Sequence, residues 1–377
     1  MLHYNNLMLN KISKLTITIF LIFGLKSSVN ADVNVVTSIK PIHSLASYVM
    51  DGVGKPDVIV DGYNSPHGFS LKPSHAKMIE KADLIIWVGE DLEAFLEKPL
   101  NTIAKKAVNV EIMDLSGVKK LKFREKNIFE GHDDHGHGHK EKKHDDHEHG
   151  HKEKKHDDHG HGHKEKKHDD HGHKEKKHDD HGHGHKEKKH DDHGHKKAKH
   201  DDHGHEGHAH GEHDPHVWLD PMNAKVIIKE IEKQLVKLDP DNSSKYKANS
   251  KKAQSELDNL TKNIKGDLKG NLRFVVFHDA YQYFENRFGI KVLGALTVNP
   301  DVLPGAEQLS EIREVIEHEK VNCLFSEPQF NPAIIKSIAK DTKIKTGVLD
   351  PLGATLDKGK GMYSELLQSM YASFKGC

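Results

Sequence analysis

The chain has 377 residues, with 57 Lys and Arg against 58 Asp and Glu, a formal net charge of −1, and 35 His. Near neutrality argues against a nucleic-acid binder, which carries a basic surplus on one face. Roughly 100 residues before one low-complexity tract and 160 after it leave room for two modest domains.

Residues 1–31 read as a signal peptide. Lys11 and Lys14 precede the apolar run LTITIFLIFGL, and Val29-Asn30-Ala31 follows with the small residues of a cleavage site. The run is about half of what a bilayer crossing needs. Cleavage after Ala31 is expected, giving a mature protein that starts at Asp32. No Cys follows the run to take a lipid, so the periplasm is the expected location.

The first lobe is assigned to residues 32–240. VNVVTS, DVIV, LIIWVG and VNVEIMDL read as four strands, with helices from Pro41, Lys72 and Asp91 between them. Pro99 is expected to break or kink the third helix. Alternation of this length indicates βαβ units, whose ligands gather at the carboxyl ends of the strands. His67 lies there, in the Gly/Pro/Ser loop DGYNSPHGFS. His75 lies inside a helix and reads as surface or supporting. His43 reads as an ordinary residue at a helix start.

Residues 131–215 form a tract of repeats such as HKEKKHDDHGHG. All His except His3, His43, His67, His75, His278 and His318 fall between Gly131 and His216. With almost no apolar side chain, the tract cannot offset its backbone entropy, and a disordered loop is expected. Imidazoles in this number suit Zn, Ni, Cu or Co. His216 ends the tract and differs from the other His, because HDPHVWLDP restores an apolar pattern around it. A helix then runs from Asn223 to Leu238.

Residues 241–268 read as a linking helix. Tyr246, Ala253, Leu257, Leu260 and Ile264 mark one apolar face, over about 38 Å at 1.5 Å per residue. The second lobe, 269–377, repeats the alternation with strands at RFVVF, KVLGAL, NCLF and Ile344–Gly353. His278 and Asp350 follow strands directly. Glu327, after another strand, is a possible acceptor for a ring N–H, or an ordinary loop carboxylate. Cys323 and Cys377 are expected to be bridged in an oxidising compartment, the alternative being one buried thiol and one terminal thiol. The expected fold class is thus α/β: two lobes, each a parallel-sheet βα domain, joined by a long helix.

Three imidazoles from separate loops, with a carboxylate or water, match the four donors zinc prefers. No GxSxG, GxGxxG or GxxxxGK occurs, and HExxH occurs only as His147–His151 within the low-complexity repeats, so no enzymatic motif competes outside them. A hydrolase would need a base beside a metal-bound water, and only Glu327 offers one. Receptors for nickel, cobalt or copper use similar donors. A chaperone or store built on the tract is a further alternative.

The stretches HGFSLKPSHAKMIEKADLIIWVGEDLEAFL, PHVWLDP, VVFHDAYQYFENRFG, FSEPQFNPAIIKSIA and LDPLGATLDKGKGMYSELL resemble those of zinc-binding periplasmic proteins of high-affinity zinc ABC transporters. That resemblance implies that His67, His216 and His278 bind the ion. Asp350 stands where manganese-binding relatives use a carboxylate ligand, and His278 disfavours manganese here. Some zinc members carry Glu before the first ligand His; here it is Pro66, which leaves the fourth position to Asp350 or water. A bridge from Cys323 is also implied, with its partner shifted to the chain end. The implied cargo is Zn2+, with further weak Zn2+ in the tract. The implied partners are an inner-membrane ABC permease with its cytoplasmic ATPase and a periplasmic zinc accessory protein, and the implied state is a monomer. No nucleic acid is implied.

Overall fold

The computed structural model describes residues 33–129, 211–267, 273–300 and 302–377. The signal segment and the repeats between 131 and 210 lie outside the described residues. Two four-stranded parallel sheets organise the rest. The first has the order β2-β1-β3-β4, from β1 (Val35–Ile39), β2 (Asp57–Val60), β3 (Leu84–Trp87) and β4 (Val108–Glu111). The second has the order β6-β5-β7-β8, from β5 (Arg273–His278), β6 (Lys291–Thr297), β7 (Cys323–Ser326) and β8 (Lys345–Val348). In each order the chain reverses direction beside the first strand, which makes the crevice where α/β sheets bind ligands.

The helices are α1 (Lys40–Val49), α2 (Pro73–Lys81), α3 (Glu90–Thr102), α4 (Pro221–Leu238), α5 (Ser243–Asp267), α6 (Gln282–Phe288), α7 (Ala306–His318), α8 (Ala333–Thr342) and α9 (Met362–Gly376). Proline at the first turn starts α1, α2 and α4, where a missing N–H costs nothing. The Asp220 side chain also caps α4 by accepting from Met222 N at 2.8 Å. Tyr246, Ala253, Leu257 and Ile264 of α5 are buried, so the apolar face expected of the linking helix is the one that packs.

Strand β5 shows how the second sheet is filled on both sides. Phe274 and Val276 join one core, while Val275 and Phe277 join another, following the two-residue period of a strand. The larger core runs without a break from Val35 and Ile86 in the first lobe to Phe325 and Phe374 in the second. The lobes therefore share buried apolar surface. Cys323 and Cys377 are bridged, with Cα atoms 5.8 Å apart, which ties β7 to the chain end.

Three expectations need correction. Helical angles continue through Pro99, and the break in α3 falls instead at Glu93, with φ −128° and ψ 47°. There the buried Glu93 carboxylate turns back to accept from Val88 N at 2.7 Å, and that bond distorts the first turn. The last strands of each sheet are shorter than expected: β4 stops at Glu111 and β8 at Val348, with single backbone bonds to the neighbouring strand carrying on to Met113 and Leu349. Finally, the stretch before the tract does not stay on the first lobe. Residues 127–129 lie antiparallel along β6, with Phe129 N donating to Leu293 O and Ala295 N to Asn127 O, both at 2.8 Å. Gly294 permits this approach, because a Cβ there would meet Asn127 O at 2.8 Å.

A reciprocal strap runs the other way. Residues 353–360, after β8, lie across α1 of the first lobe. The buried Lys40 ammonium donates to Gly353 O and Leu356 O at 2.6 Å and to Ala354 O at 3.3 Å. Ser44 Oγ donates to Gly359 O at 2.7 Å, and Lys358 and Lys360 pair with Asp61 and Asp51.

Candidate metal centre

His67, His216 and His278 come together although they are far apart in the chain. Each offers one ring nitrogen, and the three nitrogens lie within 4.8 Å of one another. Ring centroids are 5.6 Å apart for His67 and His216, 5.2 Å for His67 and His278, and 4.9 Å for His216 and His278. His67 is held by the loop after β2, His278 ends β5, and His216 precedes the short turn Val217–Leu219. This is the only such cluster of His, Cys, Asp and Glu among the described residues.

The two deepest rings are aimed by carboxylates. Asp214 Oδ1 lies 2.7 Å from His216 Nδ1 and also accepts from His216 N at 2.9 Å. Glu327 lies 3.2 Å from His278 Nδ1. A carboxylate at Nδ1 fixes the proton there and leaves the Nε2 lone pair for a metal. His278 Nε2 is buried and has no hydrogen-bond partner among the described residues. A buried nitrogen left so is costly unless an ion completes it.

The electrostatics follow from burial. Burial, and then the neighbouring His278, hold His216 well below the usual imidazole range, so its ring is neutral. For His278, burial acts downward, but Glu327, Asp279 and Asp214 outweigh it and raise the ring above its ordinary value. Burial pushes Asp214 up to about 7. Two imidazoles with a carboxylate behind each give an ion nitrogen donors and nearby negative charge together.

Around them the two lobes interlock. Tyr283 of the second lobe donates its hydroxyl to Asp214 O at 2.7 Å and accepts from Leu121 N at 2.9 Å. Trp218 donates Nε1 to Pro351 O at 2.8 Å, with its ring 5.3 Å from that of His216. Arg124 pairs with Asp279 and Glu285, and Arg287 with Asp220. His67, His216, Trp218, His278, Gln329 and Phe330 line a small cavity of about 10 Å³ at the cluster.

The remaining sequence candidates fall as follows. Asp350 is not grouped with the three imidazoles. Its Oδ1 accepts from Gln329 Nε2 at 2.8 Å and from Leu352 N at 3.2 Å. Glu327 is the ring acceptor rather than an idle carboxylate. His43 is a helix-start residue with Nε2 3.1 Å from Pro56 O, and His75 accepts from Lys72 N to cap α2. Asp214 was missed, though its place two residues before His216 was a signal, since such Asp side chains commonly turn back on the backbone. Arg124 and Gln329 left no signal in any pattern.

The family described as zinc-uptake complex component A, periplasmic, matches residues 35–377. The chain belongs to that family. It is 45% identical over 345 residues to the high-affinity zinc uptake system protein ZnuA of Brucella abortus, covering 91% of each chain. It is 40% identical over 356 residues to ZnuA of Haemophilus influenzae, covering 94% of this chain and 95% of that one. A solved structure titled as the crystal structure of ZnuA superposes with TM-score 0.62 at 19% identity, covering 92% of this chain and 99% of the other. Membership makes this a solute-binding component of a transport system. No described helix is long and apolar enough to cross a membrane.

Proposed function

We propose that this protein captures Zn2+ in the periplasm with His67, His216 and His278 and delivers it to an ABC permease for import. The observation that carries the reading is the convergence of three imidazoles, two of them backed by buried carboxylates, in a site shared by both lobes. Three neutral nitrogens suit zinc's tetrahedral preference, and the hard cations Mg2+ and Mn2+ would want more oxygen. Family membership supports zinc over nickel, cobalt or copper. Hydrolysis has little support, since the two carboxylates beside the cluster, Glu327 and Asp214, are each engaged by a ring of the site.

The ion is the cargo, so the chemistry is binding and release. Asp350 supports the site from behind Gln329. The tract from 131 to 210 takes further Zn2+ weakly and is dispensable for the tight step. Removal of a signal peptide after Ala31, a monomeric state and contact with a periplasmic zinc accessory protein complete the reading.

Competition titration with a zinc-chelating dye tests it. Wild type gives one tight site with weaker binding beyond it. A variant lacking Asp133–Gly207 keeps the tight site and loses the weak phase. Tight zinc uptake by a His67, His216 and His278 triple alanine variant would overturn the assignment.

A further inference from the structure

Three histidines leave zinc one donor short of its usual four. Beside them, one oxygen on the cavity wall and one behind it are unusual. Gln329 Oε1 and Asp350 Oδ2 are both buried, and neither has a hydrogen-bond partner among the described residues. Gln329 lines the cavity with the three imidazoles, whereas Asp350 does not. Its amide has only one tenable orientation. Nε2 donates to Asp350 Oδ1 at 2.8 Å, and turning the amide over would set oxygen against a carboxylate oxygen. Asp350 is itself held, by Leu352 N at 3.2 Å. The carboxylate therefore spends itself on the amide nitrogen and leaves Oε1 as a fixed acceptor at the wall of the site.

We infer, on the basis of the three-histidine zinc site, that Gln329 positions a water as the fourth ligand of bound zinc, accepting its hydrogen bond at Oε1. Asp350 then acts by fixing the Gln329 amide and does not touch the ion. A metal-bound water is a strong donor, because the cation draws charge from its oxygen. An acceptor already held in place gains that bond without first being ordered. The residue pair thus does for the water what Asp214 and Glu327 do for the rings. This gives Asp350 a role in a chain with His at 278: the carboxylate orders the amide while the ion sees only neutral donors.

The test uses the full chain with Zn2+ and Co2+ alone as metals and azide as a competitor for the water position. Gln329→Met removes the amide at similar volume, and Gln329→Leu serves if that variant fails to fold. The expected result is a loss of zinc affinity of about tenfold, typical of removing an outer partner of a metal site. In the Co2+-loaded protein, azide should bind at least about fivefold more tightly to Gln329→Met than to wild type, read from the visible spectrum, since a water bond worth about 1 kcal/mol no longer opposes it. A purely structural Gln329 would lower the apoprotein melting temperature and leave azide affinity alone. Asp350→Ala should weaken zinc no more than Gln329→Met does. Unchanged zinc and azide affinities in Gln329→Met would overturn the inference, as would an Asp350→Ala loss tenfold larger than that of Gln329→Met. His278→Ala separates the two levels: if it retains tight zinc, the three-histidine reading fails instead.

Discussion

Asp214→Asn should make the metal-free protein more stable and its zinc binding weaker. In the fold, burial raises the Asp214 carboxyl from its ordinary 3.8 to about 7. That rise corresponds to a cost on the order of 4 kcal/mol for keeping the group ionised above pH 7. The sign follows from linkage. A carboxyl whose folded pKa is raised leaves the fold unpenalised below the unfolded value, and its stability is lost as pH rises through the folded value. Asparagine removes the charge and keeps an oxygen for His216 N and Nδ1. Its buried amide nitrogen would replace Oδ2, which has no partner among the described residues, at a cost of about 1–3 kcal/mol. The net gain is about 1–3 kcal/mol at pH 8, narrowing as pH falls toward 5. Zinc affinity should drop about 10- to 100-fold, because an amide leaves the ring less basic. Denaturant melts of the apoprotein between pH 5 and 8, with zinc titration at pH 7.5, read both effects. If the variant were less stable at every pH with zinc affinity intact, the carboxylate would be a structural cap and not a device that tunes the ring.

Other substitutions probe the frame. Lys40→Met strands three carbonyls of the 353–356 strap and should destabilise by about 3 kcal/mol, read by urea melts; a loss under 1 kcal/mol would mean the strap holds without its ammonium. Glu93→Gln should flatten a fall in stability between pH 5 and 8, since burial raises Glu93 to about 7 and its charge penalises the fold above that value. An unchanged pH profile would show that the folded pKa of Glu93 is not raised. Cys323→Ser opens a bridge spanning 54 residues, with an entropic ceiling of about 4 kcal/mol, and should leave zinc affinity within about twofold. Melting temperature and titration on the same sample check both parts.

What was readable from sequence had a local cause. The apolar runs at Leu84 and Phe274 are buried because parallel strands are covered on both faces, and the spacing from Tyr246 to Ile264 makes one buried helix face. His67 and His278 stood out as polar groups at the ends of such strands. The Cys323–Cys377 bridge was legible for another reason: two Cys in an exported chain are expected to pair. What escaped notice depends on partners distant in the chain. Arg124 meets Asp279 across 155 residues, and Lys40 meets Gly353 across 313. Neither KLKFREKNIF nor LGATLDKGKG has a period that marks it as a strap. Local rules put the kink at Pro99 and not at Glu93, because they weigh a proline and cannot see a carboxylate returning to the strand before it.

Those straps bear on how the cargo leaves. Each lobe is gripped by chain from the other: 127–129 along β6, and 353–360 across α1. A continuous core and a 25-residue helix lie behind both. Wide opening about a hinge would have to separate buried apolar surface and strip the Lys40 ammonium of its carbonyls. The loop carrying His67 is anchored at its root by the Asp61–Lys358 pair, whose side chains are 41% and 48% exposed, and an ion pair that wet contributes little. His216 and His278, by contrast, are buried and braced by Asp214 and Glu327. In the proposed site, His216 and His278 thus form a braced floor.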